Sequence, residues 1–341
     1  MSTKPFKILS IDGGGIRGVF PAMFLTKLEE KLKAEGKEKW QIYQNFDLIV
    51  GTSTGGIIAI ALALGIPAKE LYELYLNKAK DIFGHKKNFF KQVLYASHER
   101  ETLEKLIKSK FKEVSKDDKD PVLKDCKTNI CIPAYDLLEG KPSVIKNKYH
   151  HRFTRDYHIP AYKVALATSS APTYFNPYST KYIDLNGTEQ SFSNKVDGGV
   201  FANNPALIGI MEAKEAFKKE LPKINVLSLG TGYQTFSEGQ NRKKWGIHYW
   251  ILKDKKRRLI DLFMQGQSQM VENIIGLMQN GIDREREKNP SFIYHRINTQ
   301  LNSTLNIAMD ETSKDKLEKL AEKASNKFHD NANNIIKTFC S

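Results

Sequence analysis

The chain has 341 residues, 40% of them hydrophobic, and carries 53 lysines and arginines against 39 aspartates and glutamates, a formal net charge of +14. That length and apolar content exclude a disordered polymer and suffice for one large core, while three cysteines, Cys126, Cys131 and Cys340, exclude a disulfide scaffold and show no metal-ligand spacing. The excess of positive charge directs attention to an anionic partner: a phospholipid surface, a nucleotide or a nucleic acid.

The N-terminal residues Met1 to Pro5 run directly into a strand-like segment, Lys7 to Ile11, with no signal-peptide pattern, and no apolar run reaches the ~20 residues a bilayer span needs. A cytosolic protein is expected, associating peripherally with the inner face of the membrane. The first strand leads into Asp12-Gly13-Gly14-Gly15-Ile16-Arg17-Gly18 and then a helical pattern from about Pro21, with Phe24, Leu25, Leu28 and Leu32 on one face and Gly36 beyond its end. The glycine spacing also fits a dinucleotide-binding loop. An oxyanion loop is the better reading, because consecutive glycine N–H groups can face the negative charge of a tetrahedral intermediate. Gly14 and Gly15 are the main expected donors, with Gly13 and the N–H of Thr54 in support. Arg17 is read either as a headgroup contact or as a loop brace, and Asp12 and Asp47 as structural.

A second strand, Phe46 to Val50, ends in Gly51-Thr52-Ser53-Thr54-Gly55, followed by a segment from Gly56 to Leu64 that is apolar all round. In Gly-x-Ser-x-Gly the serine sits on a tight strand-to-helix turn whose flanking glycines avoid backbone collisions, and the apolar segment reads as a helix buried behind it. Ser53 is therefore the expected nucleophile. Downstream, Lys86-Lys87 with Phe89-Phe90 reads as a membrane-touching loop, and the mixed-charge stretch Lys105 to Lys127 as a surface insertion or lid. Strand signals recur at Asn129 to Tyr135, Lys163 to Ala167 and Ile224 to Leu229.

Between the last two lies Asn194-Lys195-Val196-Asp197-Gly198-Gly199, with Asn204-Pro205 opening another helix. A nucleophilic serine needs a base within hydrogen-bond reach. The eight histidines, His85, His98, His150, His151, His158, His248, His295 and His329, lack a glycine-framed or strand-end setting and read as surface or structural residues. Asp197 has that setting. Its carboxylate, with a reference pKa near 4, is expected to be ionised at neutral pH, giving a Ser53–Asp197 dyad with no metal. A Ser-His-Asp arrangement is the rival within enzymes.

The C-terminal part carries two long helical patterns. One runs from Lys253 to about Met278, with Ile260, Phe263, Met264, Val271, Ile274 and Met278 near one face; the other starts at Thr312, with Leu317, Leu320, Ala324, Phe328 and Ile335. Before them, Arg242-Lys243-Lys244-Trp245, Tyr249-Trp250 and Lys253 to Arg258 interleave cations with aromatic residues, a composition suited to a bilayer interface, to nucleobase stacking or to a solvated basic face. Strands alternating with helices predict a three-layer α/β/α architecture around a largely parallel sheet. One domain is expected over 1–341, with a core from about 5 to 235 and a helical part from about 240 to 341 packed on it.

The three motifs, Asp-Gly-Gly-Gly-x-Arg-Gly, Gly-Thr-Ser-Thr-Gly and Asp-Gly-Gly, in that order, resemble those of the patatin-like phospholipases, related to cytosolic phospholipase A2. The segments Ala167 to Phe175 and Val226 to Gly232 match the family pattern as well. The resemblance implies hydrolysis of acyl esters of membrane glycerophospholipids by a Ser-Asp dyad, with Ser53 as nucleophile, Asp197 as base and Gly13 to Gly15 as oxyanion loop. Gly18, Gly51, Gly55, Gly198 and Gly199 are the remaining motif glycines. It implies no required cofactor. Overall similarity is greatest to bacterial stand-alone members, some of them antiphage effectors switched on by a cyclic nucleotide, which makes a cyclic di- or trinucleotide activator part of the expectation; the two C-terminal helices are expected to pack on the core, with a homo-oligomer interface through one of them as the alternative. The alternatives are a constitutive lipid acyl hydrolase and a nucleotide-sensing module with little hydrolysis. No nucleic-acid partner is expected, since one accounts for the charge and for none of the motifs.

Overall fold

The computed structural model describes residues 4–84, 96–115, 117–234, 246, 249–250, 258–282, 284–301 and 305–340. The Lys86-Lys87 and Phe89-Phe90 loop, His85, His248 and most of the basic, tryptophan-bearing stretch (235–245 and 251–257) lie outside the described residues.

In chain order the strands are β1 (Phe6–Ile11), β2 (Leu48–Gly51), β3 (Asn129–Asp136), β4 (Lys141–Lys146), β5 (Tyr178–Ile183), β6 (Glu189–Asp197), β7 (Ile224–Leu229) and β8 (Ile293–Ile297). They form one sheet in the order β5-β6-β3-β2-β1-β7-β8, with β4 also paired to β3. The run from β3 through β2, β1 and β7 to β8 is parallel; β4 and β6 join β3 antiparallel, and β5 joins β6 antiparallel.

The central strands are buried on both faces, so they read as near-continuous apolar runs. Alternation still decides which layer each residue meets: Leu9, Ile11, Ile49, Leu227 and Leu229 enter the larger core, and Ile8, Leu48, Val50, Ile224 and Val226 the smaller one. The larger core is closed by α1 (Val19–Ala34), α2 (Thr54–Leu64), α3 (Ala68–Phe83), α4 (Glu101–Lys112), α5 (Ala161–Thr168) and α9 (Lys314–Phe339). On the opposite face lie α7 (Ala206–Glu215) and α8 (Arg258–Asn280), after a single turn, α6 (Gly199–Ala202). The C-terminal helix α9 packs on α1, with Phe328 edge-on to Phe24 at 5.5 Å between ring centroids.

Two expectations need correction. Lys163 to Ala167 is not a strand but part of helix α5. Pro160 stands at its start, alanines at 161, 165 and 167 favour a helix, and burial on nearly every side removes the period that separates a buried helix from a buried strand. The C-terminal part is also not purely helical, because β8 adds a parallel edge strand beside β7. The stretch from Lys105 to Lys127 splits in a similar way: Ile107 and Phe111 of α4 are in the core, and Lys108 and Lys112 are paired with Asp120 and Asp118 at the surface.

The register of β3 determines what meets at the site. β4 occupies one edge of β3 from Cys131 to Asp136, so β2 and β6 share the other edge, β2 over Asn129 to Cys131 and β6 over Ala134 to Asp136. They run toward each other, and their C-terminal ends converge over Ile132 and Pro133. Ser53 follows one end, and Asp197 is the other.

Candidate active site

Ser53 is buried, with φ 56° and ψ −123°, a left-handed conformation that is strained for a serine and serves to raise its side chain above the sheet. The glycines on either side are required sterically. A Cβ on Gly51 would lie 2.1 Å from the carbonyl oxygen of Gly55, and one on Gly55 would lie 2.2 Å from that of Ile11. The Ser53 N–H donates to Thr168 Oγ1 at 3.0 Å, and Thr168 Oγ1 donates to the carbonyl of Pro133 at 2.6 Å, so the elbow is tied to β3 where its two neighbouring strands stop. Behind it every residue of α2 is buried.

The Ser53 hydroxyl donates to Asp197 Oδ2 at 2.6 Å. Asp197 Oδ1 accepts the N–H of Gly199 at 2.7 Å, and the Asp197 N–H donates to the carbonyl of Ser170 at 3.1 Å. Burial pushes the Asp197 carboxyl up to about 7, against the opposing effect of the bonds from Ser53 and Gly199. The expectation of an ordinary carboxylate near 4 is thereby corrected upward, because burial disfavours the ionised form.

In the glycine loop, the Gly13 N–H donates to the carbonyl of Asn203 at 3.0 Å, which corrects its place among the expected oxyanion donors. The N–H groups of Gly14 and Gly15 make no backbone hydrogen bond among the described residues, and Gly15, with φ +58°, lies beside Ser53 in the same cavity. A Cβ on Gly14 would collide with Thr231 Oγ1 at 2.2 Å. Thr54 is the first residue of α2, so its N–H has no intrahelical acceptor and stands at the positive end of the helix. Arg17 packs back onto the loop through Nε to the carbonyl of Gly14, 3.3 Å, and lines a polar cavity of about 270 Å³ on the far side of the loop.

Several residues that support this geometry were not singled out from the sequence. Arg296 of β8 forms a two-pronged pair with Asp12, 3.0 and 2.6 Å, and also contacts Glu272 of α8. Burial disfavours its charge, but Asp12 and Glu272 more than offset that and hold the guanidinium firmly protonated. Asn203 receives Gly13 and is held from α8 by Gln267 and Ser268. Arg100 donates to Ser170 Oγ at 2.9 Å, bracing the residue whose carbonyl receives Asp197. Only Asn203 had a local signal, the Asn203-Asn204-Pro205 run after the third motif. The contacts of Arg296 and Arg100 span tens to hundreds of residues.

Two apolar spaces flank the pair. One of about 60 Å³ lies over Ser53 and is walled by Ile57, Phe83, Leu103, Phe175 and Met264; one of about 350 Å³ opens beyond Asp197 and is walled by Pro172, Val200, Ile260, Phe263 and Met264. Of the histidines, His98 has a structural place, buried against Phe83, Tyr174 and Phe175. Its Nε2 faces Asp310 at 3.4 Å, not Ser53. Among the described residues no histidine bonds to Ser53 and no cluster of three potential metal ligands exists. Cys126, Cys131 and Cys340 are free thiols.

An apolar cleft against a sheet of this topology, with the motif residues gathered at its mouth, defines a lipid acyl hydrolase. Residues 9–210 match the family of patatin-like phospholipases, and the chain belongs to that family. It is 33% identical to patatin-like protein 2 of Arabidopsis thaliana over 78% of this chain and 70% of that one. It is 32% identical to the cGAMP-activated phospholipase of Escherichia coli, over 79% and 74% of the two chains. The cGAMP-activated phospholipase of Vibrio cholerae is 34% identical over 68% and 65%.

Proposed function

We propose that this phospholipase cleaves acyl esters of membrane glycerophospholipids through Ser53 and Asp197. The observation that carries this reading is the 2.6 Å hydrogen bond between their side chains in a buried, apolar setting. Ser53 Oγ adds to the ester carbonyl carbon while Asp197 Oδ2 takes its proton. The resulting oxyanion is held by the N–H groups of Gly14, Gly15 and Thr54, aided by the dipole of α2. Collapse of the tetrahedral intermediate breaks the ester C–O bond, and the proton on Asp197 passes to the departing lysolipid alkoxide. Water then adds to the acyl-serine with Asp197 again as base, and the free fatty acid leaves. A carboxyl titrating near 7 is a stronger base than one near 4, which suits a dyad without histidine. The apolar spaces beside Ser53 suit an acyl chain, and Arg17 suits either a phosphate contact or the loop brace its bond to Gly14 makes it.

The test is fatty-acid release from phospholipid vesicles by wild type, Ser53→Ala and Asp197→Asn. Loss on the order of 10³-fold or more in each variant, with the fold retained, is expected; activity surviving in either one removes the dyad.

Control of this activity by a cyclic nucleotide, in membrane-degrading antiviral defence, is the second part of the proposal. It rests on the relatives named as cGAMP-activated phospholipases at 32% and 34% identity. No cofactor is part of the proposed chemistry. None of the helices among the described residues is long and apolar enough to cross a membrane, so the proposed association with the inner face of the membrane is peripheral. Vesicle hydrolysis with and without a panel of cyclic di- and trinucleotides tests the control: release only with one nucleotide supports a gated effector, and release without any leaves a constitutive acyl hydrolase. Light scattering under the same conditions tests for a homo-oligomer.

A further inference from the structure

Helix α8 roofs the cleft and yet leaves large apolar side chains in water. Val271 and Ile275 face the smaller core, and Met264 reaches the cavities beside Ser53 and Asp197. Phe263, at the rim of the second cavity, Met270 and Leu277 are 61%, 54% and 52% exposed, and Ile282, just past the helix end, is 86% exposed. Seven residues turn an α-helix through 700°, only 20° short of two full turns, so positions 263, 270 and 277 form one stripe. The expected single apolar face of this helix therefore divides in two, one inward and one outward.

The geometry points to this outward stripe as the docking face for the anionic phospholipid bilayer that supplies the substrate. Three observations favour a bilayer over another protein. First, the stripe begins at the mouth of the cleft: Phe263 walls the 350 Å³ space beyond Asp197 together with Val200, itself 40% exposed. Insertion of Phe263 would bring acyl chains to that opening. Second, the stripe is bordered by Gly266, Gln269 and Asn273 and carries no charged residue, while the sequence just before it, Lys253 to Arg258, holds five cations and one anion in a chain of net charge +14. An uncharged apolar stripe on a strongly basic chain suits a surface of anionic headgroups over hydrocarbon. Third, a specific protein interface engages roughly 20–30 residues a side. Three apolar side chains on a single helix, with Ile282 just past its end, fall well short of that number.

The inference rests on the phospholipase reading, and the experiment separates the two. Wild type and a Met270→Asp/Leu277→Asp variant are floated with vesicles of phosphatidylethanolamine and phosphatidylglycerol, 3:1. Both are then assayed on those vesicles and on p-nitrophenyl butyrate, a soluble ester. Neither substituted residue lines the cavities beside Ser53 and Asp197. The expected result is at least tenfold weaker flotation and vesicle hydrolysis with unchanged turnover of the soluble ester. Met270→Gln/Leu277→Gln, closer in size, is expected to show the same direction and serves if the aspartate variant does not fold. Undiminished flotation overturns the inference, as does a dimer of wild type that the variant dissociates. Flotation without hydrolysis of any lipid, both with and without the panel of cyclic di- and trinucleotides, would leave the docking face standing and remove the phospholipase reading instead.

Discussion

Two helices bound the same cleft and are built on opposite terms. Every one of the 11 residues of α2 is buried, and its start is fixed by backbone contacts so close that two glycines cannot be replaced. Helix α8 has 23 residues; among the described ones Ser268, Val271 and Ile275 are buried, and the helix is held by Val271 and Ile275 on the smaller core and by hydrogen bonds that Gln267, Ser268 and Glu272 accept. The nucleophile thus stands on the most completely buried helix of the site, while the roof has far less buried surface to give up if it shifts. Local opening follows such differences in packing.

The sharpest break of this contrast is a methyl group in the elbow. Gly55→Ala places a carbon 2.2 Å from the carbonyl oxygen of Ile11 and 2.7 Å from that of Asp12, backbone atoms with no flexible side chain to yield. A loss of about 4 kcal/mol or more is expected, seen as little soluble protein or a fall in melting temperature beyond 10 °C. A Gly55→Ala protein with wild-type melting and activity would mean that the elbow is looser than its contacts require.

Next in size is the buried pair that joins the two regions. Arg296→Met leaves Asp12 without its partner under the glycine loop, and a cost of roughly 3–5 kcal/mol in urea unfolding is expected. Glu272→Gln removes only the α8 arm of the same cluster, from a side chain that is 36% exposed, and is expected to cost about 1 kcal/mol or less. Equal losses in the two variants would place α8 on the same rigid footing as α2.

These predictions also mark where the sequence is informative. Ser53 and Asp197 are legible because each is framed by glycines within a few residues, and the buried helix behind Ser53 is legible because its apolar run has no polar face. What stays hidden is long-range pairing. The β5–β6 hairpin buries only Tyr178, Phe192, Val196 and Asp197, and the Thr, Lys, Ser and Gln between them hide its core face from a reader of sequence. That Asp197 arrives by an antiparallel strand meeting β2 end-on depends on the pairing of β3 with three partners. Nothing local to Gly13 reveals that the carbonyl of Asn203, 190 positions away, already accepts its N–H. The pKa of Asp197 is equally unreadable, since it is set by burial among residues from several elements.

That raised pKa gives the third prediction. The base must be ionised to accept the Ser53 proton, so kcat/KM on a soluble ester is expected to rise about tenfold per pH unit below 7 and to level off above it. A profile flat from pH 5 to 8 would mean that Asp197 titrates near its ordinary value. The same shift bears on stability with the opposite sign. A carboxyl that binds its proton more tightly folded than unfolded favours the native state below about pH 4, and that contribution is lost as pH rises through about 7. Asp197→Asn is therefore expected to gain thermal stability over wild type at pH 8 relative to pH 5.

The smallest expected effect is the same substitution as the largest, moved to the other helix. A Cβ on Gly266 or Gly276 of α8 meets no atom within 4 Å, and glycine inside a helix costs up to about 1 kcal/mol relative to alanine. Gly266→Ala and Gly276→Ala should each raise stability by a few tenths to 1 kcal/mol, where Gly55→Ala destroys it. If α8 only roofs the cleft, vesicle hydrolysis will stay level as the helix stiffens. If it bends when its outer stripe enters the bilayer, hydrolysis of vesicles will fall while turnover of a soluble ester does not, and the two glycines will be the hinge that the rigid elbow of α2 cannot provide.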